Sequence, residues 1–260
     1  MTNKQFIKKI PIVKRIYPSL FKRILKFFKG NIINYSFFGV NFEGNIEEPM
    51  DKEILLFGSY ENSQINFMLK NLNDLKFDYF IDVGANSGLY SLIVAKKFKY
   101  IKIKSFEPIK ESIKKFRNNI KLNENTKNIE IYNFGLSNKN SKLVMKAKKR
   151  GNYIQTGGYG VVNKSDDLTN LHTEYAEFKL GDEVFNFINK NIIIKIDTEG
   201  HEKNVLEGLK NTIINNKIFL QIEIFDKNYE TINKLIESYN LKKFQSISGE
   251  NKTDYFYKNY

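Results

Sequence analysis

Tyr79-Phe-Ile-Asp-Val-Gly-Ala-Asn-Ser-Gly-Leu-Tyr90 is the stretch whose reading decides the fold. The apolar, partly β-branched run from Tyr79 to Val83 reads as a buried strand, with an acid, Asp82, near its end. Gly84 and Gly88 then bracket a turn, and Leu89, Leu92 and Ile93 open an amphipathic run. A strand, a glycine turn and a helix in this order aim backbone N–H groups and a positive helix end at whatever lies over the strand's carboxyl edge. Gly84 is expected to let a ligand approach the backbone, and Asn86, a residue type that tolerates left-handed backbone, stands in for a further glycine.

Downstream, the same rhythm repeats. A second strand, Ile101 to Phe106, ends at Glu107-Pro108, and a helix from about Lys110 to Leu122 carries Ile113, Phe116 and Ile120 on one face. A third strand, Ile129 to Phe134, runs into Gly135-Leu-Ser137. This β-α-β-α-β order is the pattern of a parallel, doubly wound sheet. Residues 138–176 break it with a basic patch and a Gly/Tyr-rich run, so they are expected to form an excursion that lies over the sheet edge as a lid. Regular structure returns with a strand at Ala176 to Leu180, a helix at Asp182 to Asn189, and the very apolar strand Ile192 to Ile196, which holds Lys195 and ends at Asp197. His201 and Glu202 open the next helix, and Glu223 lies within the strand Ile218 to Phe225. Two last strands flank Ser248-Gly-Glu-Asn251, a hairpin signal that makes the final pair antiparallel. Seven strands with a reversed terminal hairpin resemble the class I methyltransferase variant of the Rossmann architecture.

Upstream, residues 1–42 hold nine basic side chains and no acid. Leu20, Phe21, Ile24, Leu25 and Phe28 fall at helical spacing, with Lys22, Arg23, Lys26 and Lys29 opposite. Such a helix suits an anionic membrane surface, or packs on the domain with a solvated basic face. Residues 1–45 are therefore read as a basic amphipathic arm and 46–260 as one domain. Ile32 to Phe42 is expected to form a small β element, and residues 53–73 a helical entry interrupted by Phe57-Gly-Ser-Tyr-Glu61.

The composition bounds the function. The chain has no cysteine, which excludes disulfides and thiolate metal sites. No apolar run approaches the roughly 18 residues of a membrane span, and no signal-peptide pattern opens the chain. The expected compartment is the cytosol, with peripheral attachment at the inner face of the membrane through the arm. A net charge of +13 accompanies an abundance of Lys, Asn and Ile, so it reflects composition as readily as a polyanionic partner.

Two acids at matched positions decide the ligand class. An acid ending the second strand, here Glu107, accepts both ribose hydroxyls of an adenosine, which fits NAD and S-adenosylmethionine equally. The first turn discriminates between them. It reads Asp-x-Gly-x-Asn-x-Gly rather than G-x-G-x-x-G, and its acid would repel a pyrophosphate but complements the ammonium of a methionine. S-adenosylmethionine is therefore the expected cofactor. The competing reading of each acid is a strand-end residue bonded to nearby backbone.

These segments, with Ser105-Phe-Glu-Pro108, Gly135-Leu-Ser137, Ile194-Lys-Ile-Asp-Thr-Glu-Gly-His-Glu202 and Val205-Leu-Glu-Gly208, resemble the FkbM-type methyltransferases over about residues 55–225. The resemblance implies O-methylation by S-adenosylmethionine, often of sugars in polysaccharide or of secondary metabolites. It implies that Asp82, Gly84, Asn86, Gly88 and Glu107 hold the cofactor, that Gly135 and Leu136 flank its adenine, and that Glu61 enters the same site. One departure is Leu180-Gly-Asp-Glu183, where the family shows Leu-Asp-Asp, and no role is assigned there.

Methyl transfer to a hydroxyl needs positioning and removal of the hydroxyl proton. Asp197 and His201, with Lys195 before them, are the candidates, since all lie at one strand tip. Asp197 also suits an N-cap, and His201 local contacts at a helix start. Asp197, Glu199 and Glu223 offer oxygens that would suit Mg²⁺, but no ligand spacing is diagnostic and no metal is assigned. The acceptor is expected to be a sugar or glycan hydroxyl. The alternatives are an RNA methyltransferase, against which no RNA-binding module is recognisable, and a non-catalytic methyltransferase-like binding module.

Overall fold

A computed structural model describes residues 30–260 except 74, 125, 151, 152, 164 and 165. The amphipathic stretch around Leu20 to Phe28 lies outside the described residues. The chain enters as a hairpin, β1 (Ile32–Phe37) and β2 (Val40–Asn45), then two helices, α1 (Pro49–Phe57) and α2 (Asn62–Asn71). The central pattern follows as β3 (Tyr79–Val83), α3 (Leu89–Lys97), β4 (Lys102–Phe106), α4 (Lys110–Lys121) and β5 (Ile129–Tyr132). A second group contains β6 (Gly135–Ser137), β7 (Ser141–Arg150), β8 (Tyr153–Ile154), β9 (Gly160–Val161) and β10 (Leu171–Leu180). The chain then returns through α5 (Gly181–Val184), β11 (Asn191–Ile196), α6 (Glu202–Gly208), α7 (Lys210–Ile214), β12 (Lys217–Phe225), α8 (Tyr229–Ser238), β13 (Lys242–Ser248) and β14 (Lys252–Lys258).

The main sheet has seven strands in the order β13-β14-β12-β11-β3-β4-β5. Strands β5, β4, β3, β11 and β12 run parallel, and β14 is antiparallel to both its neighbours. The winding reverses between β3 and β11, and such a switch point opens a crevice at the strands' carboxyl ends. Alternation sorts the apolar side chains onto two faces. Phe80, Ile103, Ile193 and Phe219 pack with Met68 of α2 and Ile93 of α3. Ile81, Ile192, Ile194 and Leu220 pack with Val205, Leu206 and Ile232 of the helices on the other face. Each such fully buried side chain contributes about 1.5–3 kcal/mol.

Three elements differ from the sequence reading. Residues 32–45, assigned to the arm, form a hairpin whose Phe37, Val40 and Phe42 are buried against the domain, so the packed unit begins before residue 46. The excursion is wider than 138–176 and is itself a sheet. Its order is β6-β10-β7-β8, with β9 also on β7, so the strand at Ala176 to Leu180 belongs to it and not to the main sheet. The helix expected at Asp182 to Asn189 stops at Val184 because Phe185 and Phe187 turn inward, 5.5 Å from Phe106 and 4.1 Å from Tyr79 between ring centres.

Gly88 caps α3 with φ 84°, and a Cβ there would lie 2.1 Å from the Phe116 ring of α4. Its glycine is required by helix packing. Gly88→Ala is expected to destabilise the fold by about 1–3 kcal/mol, from overpacking and left-handed strain. Gly39→Ala, at similar φ but with nothing within 4 Å, isolates the strain alone and should cost less. Equal urea midpoints for the two variants would contradict this.

Candidate functional site

A cavity, partly open to solvent, lies over the carboxyl ends of β3, β4 and β11. Its floor is Val83-Gly84, Asn86, Glu107-Pro108 and Asp197-Thr198-Glu199. The second sheet roofs it with Met145, Tyr159, Val161 and Phe178, and Glu48, Met50 and Tyr60 close one side.

The expected residues divide into those that line the cavity and those behind it. Gly84, Asn86, Glu107, Gly135, Leu136, Asp197 and His201 line it. Gly84 has φ 82°, and a Cβ there would stand 1.8 Å from the Asp197 carbonyl oxygen, so its first requirement is the close approach of the β3 and β11 loops. Asn86 has φ 47°, and its Oδ1 is buried with no hydrogen-bond partner among the described residues. Glu107 is fixed by two backbone amides, accepting from Asn86 N at 2.9 Å and Ile109 N at 2.8 Å. Burial, only partly offset by those two amides, pushes its carboxyl up to about 7.

Asp82, Lys195, Glu61 and Gly88 are not part of the lining. Asp82 is buried, accepts from Ser91 Oγ at 2.6 Å, and leaves Oδ1 unpartnered among the described residues. Without a place in the lining, the Asp82 side chain makes its described contacts beneath the cavity floor. Asp82 faces Ser105 on β4 and Lys195 on β11, and Lys195 faces Gln221 on β12. Lys195 Nζ lies 3.1 Å from Asp197 Oδ2 and 4.5 Å from the centre of the Tyr90 ring. Its burial alone would weaken its charge, but Asp197, Asp82, Glu61 and Asp254 more than offset this and raise its pKa. The Glu61 carboxylate accepts from Tyr90 Oη at 2.8 Å. Burial pushes it up to about 7 despite Lys195.

At the opposite wall, His201 Nε2 lies 3.0 Å from Ser137 Oγ, and its ring meets Phe178 edge-on at 5.2 Å. Burial lowers its pKa to about 4, so the imidazole is neutral at pH 7. Burial also opposes ionisation of Asp197, but Lys195 and Lys252 hold its carboxyl below the usual aspartate range. One oxygen each of Asp197, Glu199 and Glu223 come within 4.8 Å of one another, and Lys252 Nζ lies 2.7 Å from Glu199 and 2.8 Å from Glu223.

Sequence reasoning missed Glu48. Its carboxylate accepts from Thr156 N and Thr156 Oγ1, both at 2.7 Å, from Tyr153 Oη, and from Lys115 Nζ at 3.3 Å. Burial works against its charge, but Lys115 and these donors hold it below the ordinary glutamate value. Glu48 thus clamps the roof to the entry of α1 across more than a hundred residues, a distance at which no local pattern is informative. Tyr60, which in sequence reads only as part of a turn, is a second lining residue that spacing does not reveal.

The strand order and the cavity at the switch point define a class I, Rossmann-like methyltransferase architecture. Residues 82–243 match the Methyltransferase FkbM domain, and the chain belongs to that family, whose methyl donor is S-adenosylmethionine. A 155-residue stretch is 27% identical to Methyltransferase sdnD of Sordaria araneosa, covering 50% of this chain and 60% of that protein. A 180-residue stretch is 26% identical to Methyltransferase 1 of Beauveria bassiana (strain ARSEF 2860), covering 62% of this chain and 70% of that protein. The crystal structure of Methyltransferase FkbM from Methylobacillus flagellatus KT superposes with a TM-score of 0.48 at 14% identity, over 70% of this chain and 44% of that one.

Glu48→Ala removes the acceptor shared by Tyr153, Thr156 and Lys115 and leaves a half-buried ammonium unpaired. Proteolytic cleavage within residues 151–165 is expected to accelerate at least about tenfold, following an opening free energy lower by more than about 1.4 kcal/mol. An unchanged cleavage rate would show that the clamp does not hold the roof.

Proposed function

We propose that the protein is an S-adenosylmethionine-dependent O-methyltransferase acting on a sugar hydroxyl of a glycan, a glycolipid precursor or a glycosylated metabolite. The observation that carries the donor half is Glu107, held by two amides at the cavity edge one strand away from the glycine turn. A carboxylate so fixed suits the two ribose hydroxyls. The unpartnered Asn86 Oδ1 is an acceptor that a bound donor group would satisfy. Gly135 and Leu136, with Met145 and Phe178 above them, offer an apolar slot for adenine. Asp197, Glu61 and Asp82 supply negative charge where the methionine end carries its ammonium and sulfonium.

The cofactor, when bound, supplies an activated methyl group on a cationic sulfur. The chain's own residues then position the acceptor and take its proton. Asp197 is ionised and His201 is neutral, so either side chain is in the protonation state a base requires. In the tautomer that donates Nε2–H to Ser137 Oγ, the lone pair of His201 Nδ1 is left for that task. The lining disfavours RNA. Glu48, Glu107, Asp197 and Glu199 face the cavity, while its described lining residues include no Lys or Arg, although the chain holds 42 of them. A polyanion meets the wrong sign of charge there. The basic stretch around Leu20 to Phe28 would bring the enzyme to an anionic membrane surface where glycan precursors gather. Among the described residues, no helix is long and apolar enough to cross a membrane.

Labelled methyl from S-adenosylmethionine should appear in glycan as an alkali-stable ether, recovered after hydrolysis as an O-methylated sugar. Label found in RNA, or released by mild alkali as from an ester, would overturn the reading. A second outcome concerns pH. Glu107 must be ionised to accept two hydroxyls and titrates at about 7. The affinity of methylthioadenosine, which has the ribose but no amino-acid charges, should therefore fall as pH drops from about 8 to 6, by roughly tenfold. In Glu107→Gln the affinity should be weak and flat with pH. A flat wild-type titration would remove the ribose assignment.

A further inference from the structure

Lys252 lies outside the donor pocket, at the start of the last strand, yet its side chain reaches back to the carboxyl edge. Its Nζ stands 2.7 Å from Glu199 Oε2 and 2.8 Å from Glu223 Oε2, and 4.9 Å from the centre of the Phe225 ring. These two glutamates and Asp197 come from the loop after β11 and from β12, and one oxygen of each lies within 4.8 Å of the others. Asp197 and Glu199 line the cavity, and Glu199 is held there with φ 51°, a conformation that L side chains rarely adopt. Three carboxylates brought this close repel one another unless a proton or a cation stands among them; burial and Asp197 push the Glu223 carboxyl up to about 9, and Lys252 pulls against both.

We propose that Lys252 is a positioning residue that serves as the built-in cation of this carboxylate triad, taking the place a divalent metal ion would otherwise occupy. Its ammonium aligns Glu199 and Glu223, while Asp197, held at Oδ2 by Lys195, meets the acceptor. The hairpin that carries it thereby becomes part of the site. Lysine suits the task because its compact charge donates up to three hydrogen bonds to separate oxygens. Phe225 beneath it supplies an apolar and weakly attractive floor. In this arrangement the acceptor proton passes to a side chain of the protein, without a metal-bound acceptor oxygen. The functional part of the inference rests on reading the cavity as the methyl-transfer site, but the cation-site part does not.

Binding of Mn²⁺ to the full-length protein, followed by electron paramagnetic resonance, tests this. Lys252→Met should bind Mn²⁺ at least about tenfold more tightly than the wild type, because Glu199 and Glu223, freed of their ammonium, form a hard-oxygen site with Asp197. Adding Glu223→Gln should abolish the gain. Lys252→Arg, which keeps the charge, should behave as the wild type. Lys252→Gln provides a second neutral variant if the methionine form does not fold, with circular dichroism as the check. Wild type and Lys252→Met binding Mn²⁺ equally, whether tightly or weakly, would overturn the proposal. Titration with S-adenosylmethionine on the same samples separates this outcome from failure of the donor assignment, because Lys252 does not line the donor pocket.

Discussion

The site depends on one buried ammonium, that of Lys195. It stands in a row of polar residues, Ser105, Asp82, Lys195 and Gln221, that are register partners across four adjacent strands of an otherwise apolar sheet. An isolated charge in such a position costs several kcal/mol. It is tolerated because Asp197, Asp82, Glu61 and Asp254 surround it, with the Tyr90 ring above. Of these carboxyls, Asp197 is held ionised, while burial pushes Asp82, Glu61 and Asp254 up. The Asp197 carboxylate is fixed in place by the Lys195 ammonium, as electrostatic complementarity to a cationic ligand requires.

Two further constraints build the cavity on this base. The β3 and β11 loops touch at Gly84 and the Asp197 carbonyl, which sets the carboxylate of Asp197 at the cavity floor. The second sheet then forms the roof and is tied down by Glu48. The roof's apolar residues, Met145, Tyr159 and Phe178, belong to one small core that also includes Ile109, two residues after Glu107. The excursion therefore covers the cavity near Glu107 and also reaches Glu199, against which Gly160 packs.

The parallel core was legible because Tyr79 to Val83, Ile192 to Ile196 and Ile218 to Phe225 are short apolar runs that follow or precede clear turn signals. The antiparallel hairpin was legible from Ser248 to Asn251. Of the second sheet the end of β10, Ala176 to Leu180, was legible as a strand, but the sheet as a whole was not, because β7 with Lys142, Lys146 and Lys148, and the start of β10 with Thr173 and Glu174, show little apolar alternation. Glycines were legible as constraints but not as to their cause. Gly88 answers to Phe116 and Gly84 to Asp197, both distant in sequence. Among site residues, Glu107, Asn86, Asp197 and His201 were found from their places at strand tips and turns. Asp82 and Lys195 were found for the right strands but lie under the floor, since alternation along a strand sends those positions to the α3 side. Glu48 and Lys252 act through partners far along the chain, and spacing holds no signal for them.

The central claim is that this cavity holds the methyl donor. Calorimetric titration of the full-length protein with S-adenosylmethionine tests it most directly. The account predicts a saturable isotherm for one molecule per chain with Kd tighter than about 1 mM. An absence of binding heat at millimolar cofactor, confirmed by an unshifted melting temperature, would contradict it.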